Sequence, residues 1–199
     1  RKIIGTDFRI SNNFLYPGIG YGGSCFPKDV KALIKTSKEF DYDFKILKSV
    51  HKVNNDQKLY MISKIKLFYN NNLKKKEIAI WGLSFKPNTD DIREAPALEI
   101  IDSLLQLEAK ISVYDPEAIS NTKKIYGNKI TYGNNQYDIL KNADALVIAT
   151  EWNEFKSPDF KRVSLLMKEK VIFDGRNLFK PHNMKNKNFK YISIGRKKV

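Results

Sequence analysis

The sequence predicts an α/β chain: a helical segment with one long helix, followed by a doubly wound parallel-sheet domain. Three observations carry this. From residue 77 onward, short apolar runs alternate with helical stretches, the pattern of a parallel sheet with helices on its faces. Before it, Ile46, Leu47, Val50, Val53, Leu59, Ile62, Ile65 and Phe68 recur at helical spacing across 44–72. Hydrophobic residues make up 42% of the 199, enough for a packed core rather than a disordered chain. The Asn- and Lys-rich run 70–76 reads as the linker, dividing a helical segment over 1–74 from a sheet domain over 75–199.

Taken in order, residues 1–13 read as a helix end and a polar turn containing Arg9. A helix then runs from about 29 to 40, where Asp41-Tyr42-Asp43 breaks it. The apolar stripe of 44–72 needs a large partner surface, so that helix is expected to form a dimer spine or a bridge between domains. His51 on it reads as a structural histidine. Strands are expected over 78–82, 110–115, 143–150, 171–174 and 191–194, with a helix over 93–108 that has Pro96 near its start.

Ligands of doubly wound domains bind at the carboxyl ends of the strands. Three loops fall there: 83–94, 150–155 and 174–177. Lys86 and Arg176 are two cations able to converge on one crevice, with Phe85 and Trp152 as apolar neighbours. That favours a phosphate-bearing ligand, and the first loop runs into a helix N-terminus suited to anions.

The densest stretch is 17–29. It holds Gly18, Gly20, Gly22 and Gly23 together with Cys25, the one cysteine of the chain. Glycines there allow positive φ and close approach of another molecule. Pro27 suits the first position of a helix. Cys25 is thereby placed near a helix N-terminus, with Lys28 and Asp29 in the first turn, and both the helix dipole and the ammonium favour a thiolate. A lone cysteine is often just a small buried hydrophobe; the glycines, the proline and the charged pair favour a nucleophile. Gly18, Gly20 and Gly23 also fit G-x-G-x-x-G, but no strand precedes them, so the dinucleotide fingerprint is rejected.

Composition narrows the class. One cysteine excludes a disulfide framework and fits a reducing, cytoplasmic setting. No apolar run approaches the roughly 20 residues of a membrane span, so no membrane partner is expected. The chain opens at Arg1-Lys2-Ile3 without an initiator methionine and reads as a piece of a longer protein. The net charge of +14 is spread among asparagines without a nucleic-acid-binding motif, so no nucleic-acid partner is expected. A basic surface also steers small anionic substrates.

Five stretches in one order are similar to the nucleotide-sugar 6-dehydrogenases, the UDP-glucose/GDP-mannose dehydrogenase family. They are the run 17–29, Gly82-Leu83-Ser84-Phe85-Lys86-Pro87 with 90–96, Tyr114-Asp115-Pro116, Thr150-Glu151-Trp152, and Phe173-Asp174-Gly175-Arg176-Asn177. The resemblance covers nearly the whole chain. It implies a Rossmann-like second domain, a homodimer through the long helix, and two-step NAD-dependent oxidation of a nucleotide sugar at C6, UDP-glucose rather than GDP-mannose. Cys25 is then the nucleophile, and Asp29 helps orient the hydrolytic water. Phe14, Tyr16, Pro17, Gly18, Ile19, Gly20 and Gly22 wrap the substrate, Phe85, Lys86 and Arg176 hold the uridine diphosphate, and Arg9 reaches the partner subunit's substrate. Cys25, Phe26, Pro27 and Lys28 border the nicotinamide, and Arg93 contacts NAD. The family's NAD-binding domain has no counterpart in these residues, so the chain alone is expected to be inactive. The alternatives are a GDP-mannose enzyme and a non-catalytic UDP-sugar-binding dimerisation module.

Overall fold

A computed structural model of the chain describes residues 1–12 and 15–199. Helix α1 (Cys25–Glu39) and the 24-residue helix α2 (Lys45–Phe68) come first. They are followed by β1 (Glu77–Trp81), α3 (Pro96–Gln106), β2 (Lys110–Tyr114), α4 (Ile119–Tyr126), β3 (Thr131–Tyr132), β4 (Ala145–Ile148), α5 (Phe160–Leu166), β5 (Val171–Asp174), α6 (Pro181–Asn186) and β6 (Lys190–Ser193). The six strands form one sheet in the order β3-β2-β1-β4-β5-β6, and every pairing is parallel. Ile80 lies between Val113 on one side and Val147 on the other. The strand order reverses between β1 and β4, so the crevice at their carboxyl ends is the topological switch point.

The strands form where the sequence is apolar on both faces. All four residues of β4 and of β5 are buried, as a sheet covered on both sides requires. One face packs Ile80, Val147 and Phe173 under Ile100, Ile101 and Leu104 of α3. The other packs Trp81, Ile148 and Tyr191 with Phe155 and Val163, and Trp81 stacks on Phe155 at 5.0 Å between centroids. Met61, Ile62 and Ile65 of α2 belong to the first of these cores, as does Ile19 from the glycine-rich run. The last turns of α2 are thus a covering helix of the sheet.

Several boundaries differ from the sequence expectation, each for a local reason. Helix α2 stops at Phe68, not at 72, because Asn70 and Asn71 both take left-handed φ, which ends a helix. The run 70–76 is no loose tether: Leu73 is fully buried, and Lys75 N–H donates to the Glu108 carbonyl. Helix α3 begins at Pro96 rather than 93, since Pro96 occupies a first-turn position and the residues before it form a loop. Residues 1–12 hold a short 3₁₀ turn at Ile4–Thr6. The chain also contains β3, α4, α5 and α6, which the apolar pattern does not announce.

Candidate active site

Cys25 is exposed and is the first residue of α1. Pro27 therefore sits third in the helix, not first, which a proline tolerates because first-turn N–H groups have no helical acceptor. Lys28 and Asp29 follow in the next positions. Asp29 lies four residues after Cys25, on the same helix face, and pairs with Lys28 at 3.3 Å with both side chains exposed. The Ser24 hydroxyl stands 3.7 Å from the sulfur. Phe26, also exposed, meets Tyr21 edge-on at 5.1 Å.

The glycine-rich run is draped over the carboxyl ends of the strands, and its glycines mark where other groups come against it. A Cβ on Gly18 would meet an Arg176 Nη at 2.2 Å. On Gly22 it would meet the Glu94 carbonyl oxygen at 2.4 Å, and on Gly23 the Phe85 ring at 2.9 Å. The run therefore brings Cys25, Phe85 and Arg176, distant in sequence, to one crevice. Ile19 is different: its side chain is fully buried against Gly175, so only its backbone can face a ligand. Pro17 is exposed, as is Tyr16, whose ring faces the Arg1 guanidinium at 4.5 Å. Phe14 lies outside the described residues.

The polar residues of α2 hold this run in place. Asn54 accepts from Tyr21 N–H at 2.8 Å and donates back to the Tyr21 carbonyl at 3.1 Å. Gln57 donates to the Gly18 carbonyl at 2.7 Å. Gly20, at φ +97°, lies against Asn54 and the Lys58 stem, a conformation that favours glycine.

On the sheet side, Arg176 donates to Glu151 at 2.6 Å and is about one-fifth exposed, while its Nε is buried without a protein partner among the described residues. That leaves donor capacity for an incoming acceptor. Lys86 is exposed, with its ammonium 5.4 Å from the Phe85 ring centre. Arg93 makes a two-point contact with Asp91 at 2.9 and 2.7 Å. That pairing raises the Arg93 pKa, with a smaller contribution of the same sign from Cys25. Gly23, Ser24, Pro27, Lys28, Lys31, Arg93 and Glu94 line a cavity of about 390 Å³. Arg9 is turned onto Asp7 at 2.9 and 2.6 Å, and the structure does not bring it to the crevice.

Two buried carboxylates frame the crevice. Asp115 accepts from Leu83 N–H at 2.7 Å, Ser84 N–H at 3.1 Å, Trp152 Nε1–H at 3.0 Å and Ala118 N–H at 2.8 Å. It ties together the segments that follow β1, β2 and β4. Trp152, expected as an apolar neighbour of the crevice, is a buried prop whose indole N–H donates to Asp115. Asp174 accepts from Arg176 N–H at 2.9 Å and from the Tyr191 hydroxyl at 2.7 Å; burial nonetheless raises its pKa. The Tyr114-Asp115-Pro116 turn is visible in the sequence, but its bonding to three segments follows only from the sheet order.

Among the described residues no helix is long and apolar enough to cross a membrane. Residues 1–56 match the central domain of the UDP-glucose/GDP-mannose dehydrogenase family, and residues 79–181 its UDP binding domain. The chain is 42% identical over 196 residues to UDP-glucose 6-dehydrogenase TuaD of Bacillus subtilis, covering 98% of this chain and 42% of that protein. It is 39% identical to UDP-glucose 6-dehydrogenase of Pseudomonas aeruginosa, with 98% and 44% covered. Its fold is similar to a UDP-glucose dehydrogenase from Pyrobaculum islandicum, with a TM-score of 0.82, 30% identity, and 98% and 42% covered. The chain thus spans less than half the length of the relatives it matches. With both family domains matched in sequence order and the parallel sheet in place, the chain belongs to the UDP-glucose/GDP-mannose dehydrogenase family.

Proposed function

We propose that this chain supplies the nucleophile and the nucleotide-sugar pocket of an NAD-dependent UDP-glucose 6-dehydrogenase. One observation carries the reading: a single glycine-rich run lays the exposed Cys25 and the under-bonded Arg176 along one crevice at the switch point of a parallel sheet. The diphosphate would lie against Arg176, Lys86 and the Phe85 ring, with backbone of 16–22 along the sugar. The Cys25 thiolate would add to the C6 aldehyde, forming a carbon–sulfur bond as the carbonyl oxygen takes a proton. After C6 is oxidised again to the thioester level, a water oriented by Asp29 attacks C6. The carbon–sulfur bond then breaks, freeing the carboxylate and regenerating the thiolate. Two NAD molecules, bound in turn, would each take up one of the two hydrides. Lys28 and Arg93, which line the cavity with Lys31 and Glu94, would hold the dinucleotide's phosphates by exchanging their present partners, Asp29 and Asp91, for phosphate oxygens.

We also assign the bare face of α2 around Ile46, Val50 and Val53 to a second copy of the chain, with Arg9 reaching across to the partner's substrate. A cavity of about 560 Å³ lies along this face, bordered by Tyr21 of the glycine-rich run and by Asn54, which holds it.

Calorimetry tests the pocket. UDP-glucose is expected to bind and GDP-mannose to bind at least about tenfold more weakly, with Arg176→Ala costing a further factor of roughly 10 to 100 for one charge-assisted contact. Equal binding of the two sugars would overturn the substrate assignment. In the whole protein that carries this chain, Cys25→Ser is expected to cut NADH formation by about a thousandfold or more, as loss of a covalent nucleophile does.

A further inference from the structure

We propose that Glu94 is a positioning residue, holding the Cys25 run in register against the sheet domain. The inference rests on the nucleotide-sugar reading above and concerns how that site is kept assembled. Glu94 sits in the loop between β1 and α3, yet its two carboxylate oxygens go to two other elements. Oε1 accepts from Lys31 of α1 at 2.7 Å, and Oε2 from Lys58 of α2 at 2.9 Å. Lys58 is only 4% exposed, and among the described residues Glu94 is its ionic partner. A buried ammonium is unfavourable without such a partner.

The backbone of the same residues touches the glycine-rich run. The Glu94 carbonyl oxygen fills the space beside Gly22, Gly23 N–H donates to the Arg93 carbonyl at 2.8 Å, and the Lys58 stem lies against Gly20. Glu94 itself takes a φ of +55°, a left-handed conformation unusual for a glutamate, which persists only where surrounding contacts over-determine it. One side chain thus joins α1, which begins at Cys25, to α2 and to the loop that carries Phe85 and Lys86. A stabilising ion pair alone would not need its backbone set against Gly22 of the glycine-rich run.

The test uses the 199-residue chain, in which Cys25 is the sole cysteine, with Glu94→Gln and the double variant Lys58→Met with Glu94→Gln. The double variant removes the uncompensated buried charge, so it is expected to recover most of the stability lost by the single one. Hydrogen exchange without ligand is the first readout. In the double variant the amides of 20–25 are expected to exchange about tenfold faster while those of β1 and β4 keep wild-type rates, the mark of local opening. Wild-type exchange in 20–25, or equal acceleration throughout the sheet, would overturn the inference. The second readout is alkylation of Cys25 by iodoacetamide. Saturating UDP-glucose is expected to slow it about tenfold in the wild type and less than about twofold in the double variant, with affinity for UDP alone unchanged. Failure of wild-type UDP binding would count against the nucleotide-sugar reading, whereas the exchange result decides the role of Glu94 by itself.

Discussion

Along helix α2 the apolar stripe is buried at one end and bare at the other. Met61, Ile62 and Ile65 are enclosed in the core shared with β1, β4 and β5, whereas Ile46 and Val53 are 73% and 64% exposed. Between them lie Asn54 and Gln57, which hold the glycine-rich run by its backbone, and Lys58, which donates to Glu94. The same periodicity thus serves three purposes in sequence: an uncovered face, a polar clamp for the glycine-rich run, and a piece of the sheet domain's core. Apolar spacing shows that a stripe exists; it does not show what covers it. The clamp sits where the covered and uncovered halves meet, so the run that carries Cys25 is anchored next to the buried half of the helix.

The largest effect should come from the covered end. Ile65→Ala is expected to cost about 3 kcal/mol of unfolding free energy, the usual range for emptying a fully enclosed aliphatic site. Val53→Ala, at the bare end, should change it by less than about 0.5 kcal/mol in dilute solution. Urea titration of the two variants side by side measures the contrast. Similar losses would mean that the two halves are packed alike.

How much of this was legible in the residues follows from the same contrast. Strands β1, β4 and β5 are largely buried apolar runs of the kind a parallel sheet demands, β2 and β6 carry short apolar patterns, and all five stand out. Strand β3 is only two residues, too short for any period, and α4 and α6 are short helices with few buried positions. A signal for α5 does exist: Asp159 caps it, accepting from the N–H groups of Lys161 and Arg162. In the candidate site, Cys25, the glycines and the loops that carry Lys86 and Arg176 are marked by composition and spacing. Glu94 and Asp115 are not, because each acts by joining segments far apart in the chain. The Asn54, Gln57 and Lys58 set at i, i+3 and i+4 was a visible polar face on α2, but its partner is a loop more than thirty residues away.

The bare end offers a sharper test of the proposed second copy. Ile46→Glu together with Val50→Glu places charge on that face, where a facing copy would bring like charges together. Sedimentation is expected to show self-association weakened at least tenfold, about 1.4 kcal/mol, with little change in the urea midpoint of the monomer. A wild-type chain that stays monomeric at high concentration would show that α2 is covered by something other than its own copy.

The smallest effect belongs to the clamp between the two ends, and it is read through pH. Lys31 first, and then Lys58, hold the Glu94 carboxyl down to about 2. In the unfolded chain a glutamate titrates near 4.3. The unfolded state therefore binds the extra proton across that interval, and stability must fall as pH drops through it. The contribution is fully present above about pH 5 and is lost towards pH 2. Glu94 is more than one-third exposed, so solvent screening reduces the gain to about 1 kcal/mol. Asp7 and Asp91 also have lowered pKa values, through Arg9 and Arg93, and lose stability over the same acid range. Subtracting the curve of Glu94→Gln removes those shared terms. The gap between wild type and variant should close by about 1 kcal/mol between pH 6 and pH 2.5. A gap that stays constant over that range would mean that Glu94 is unpaired in solution, and the hold of α2 on the glycine-rich run would then rest on Asn54 and Gln57 alone.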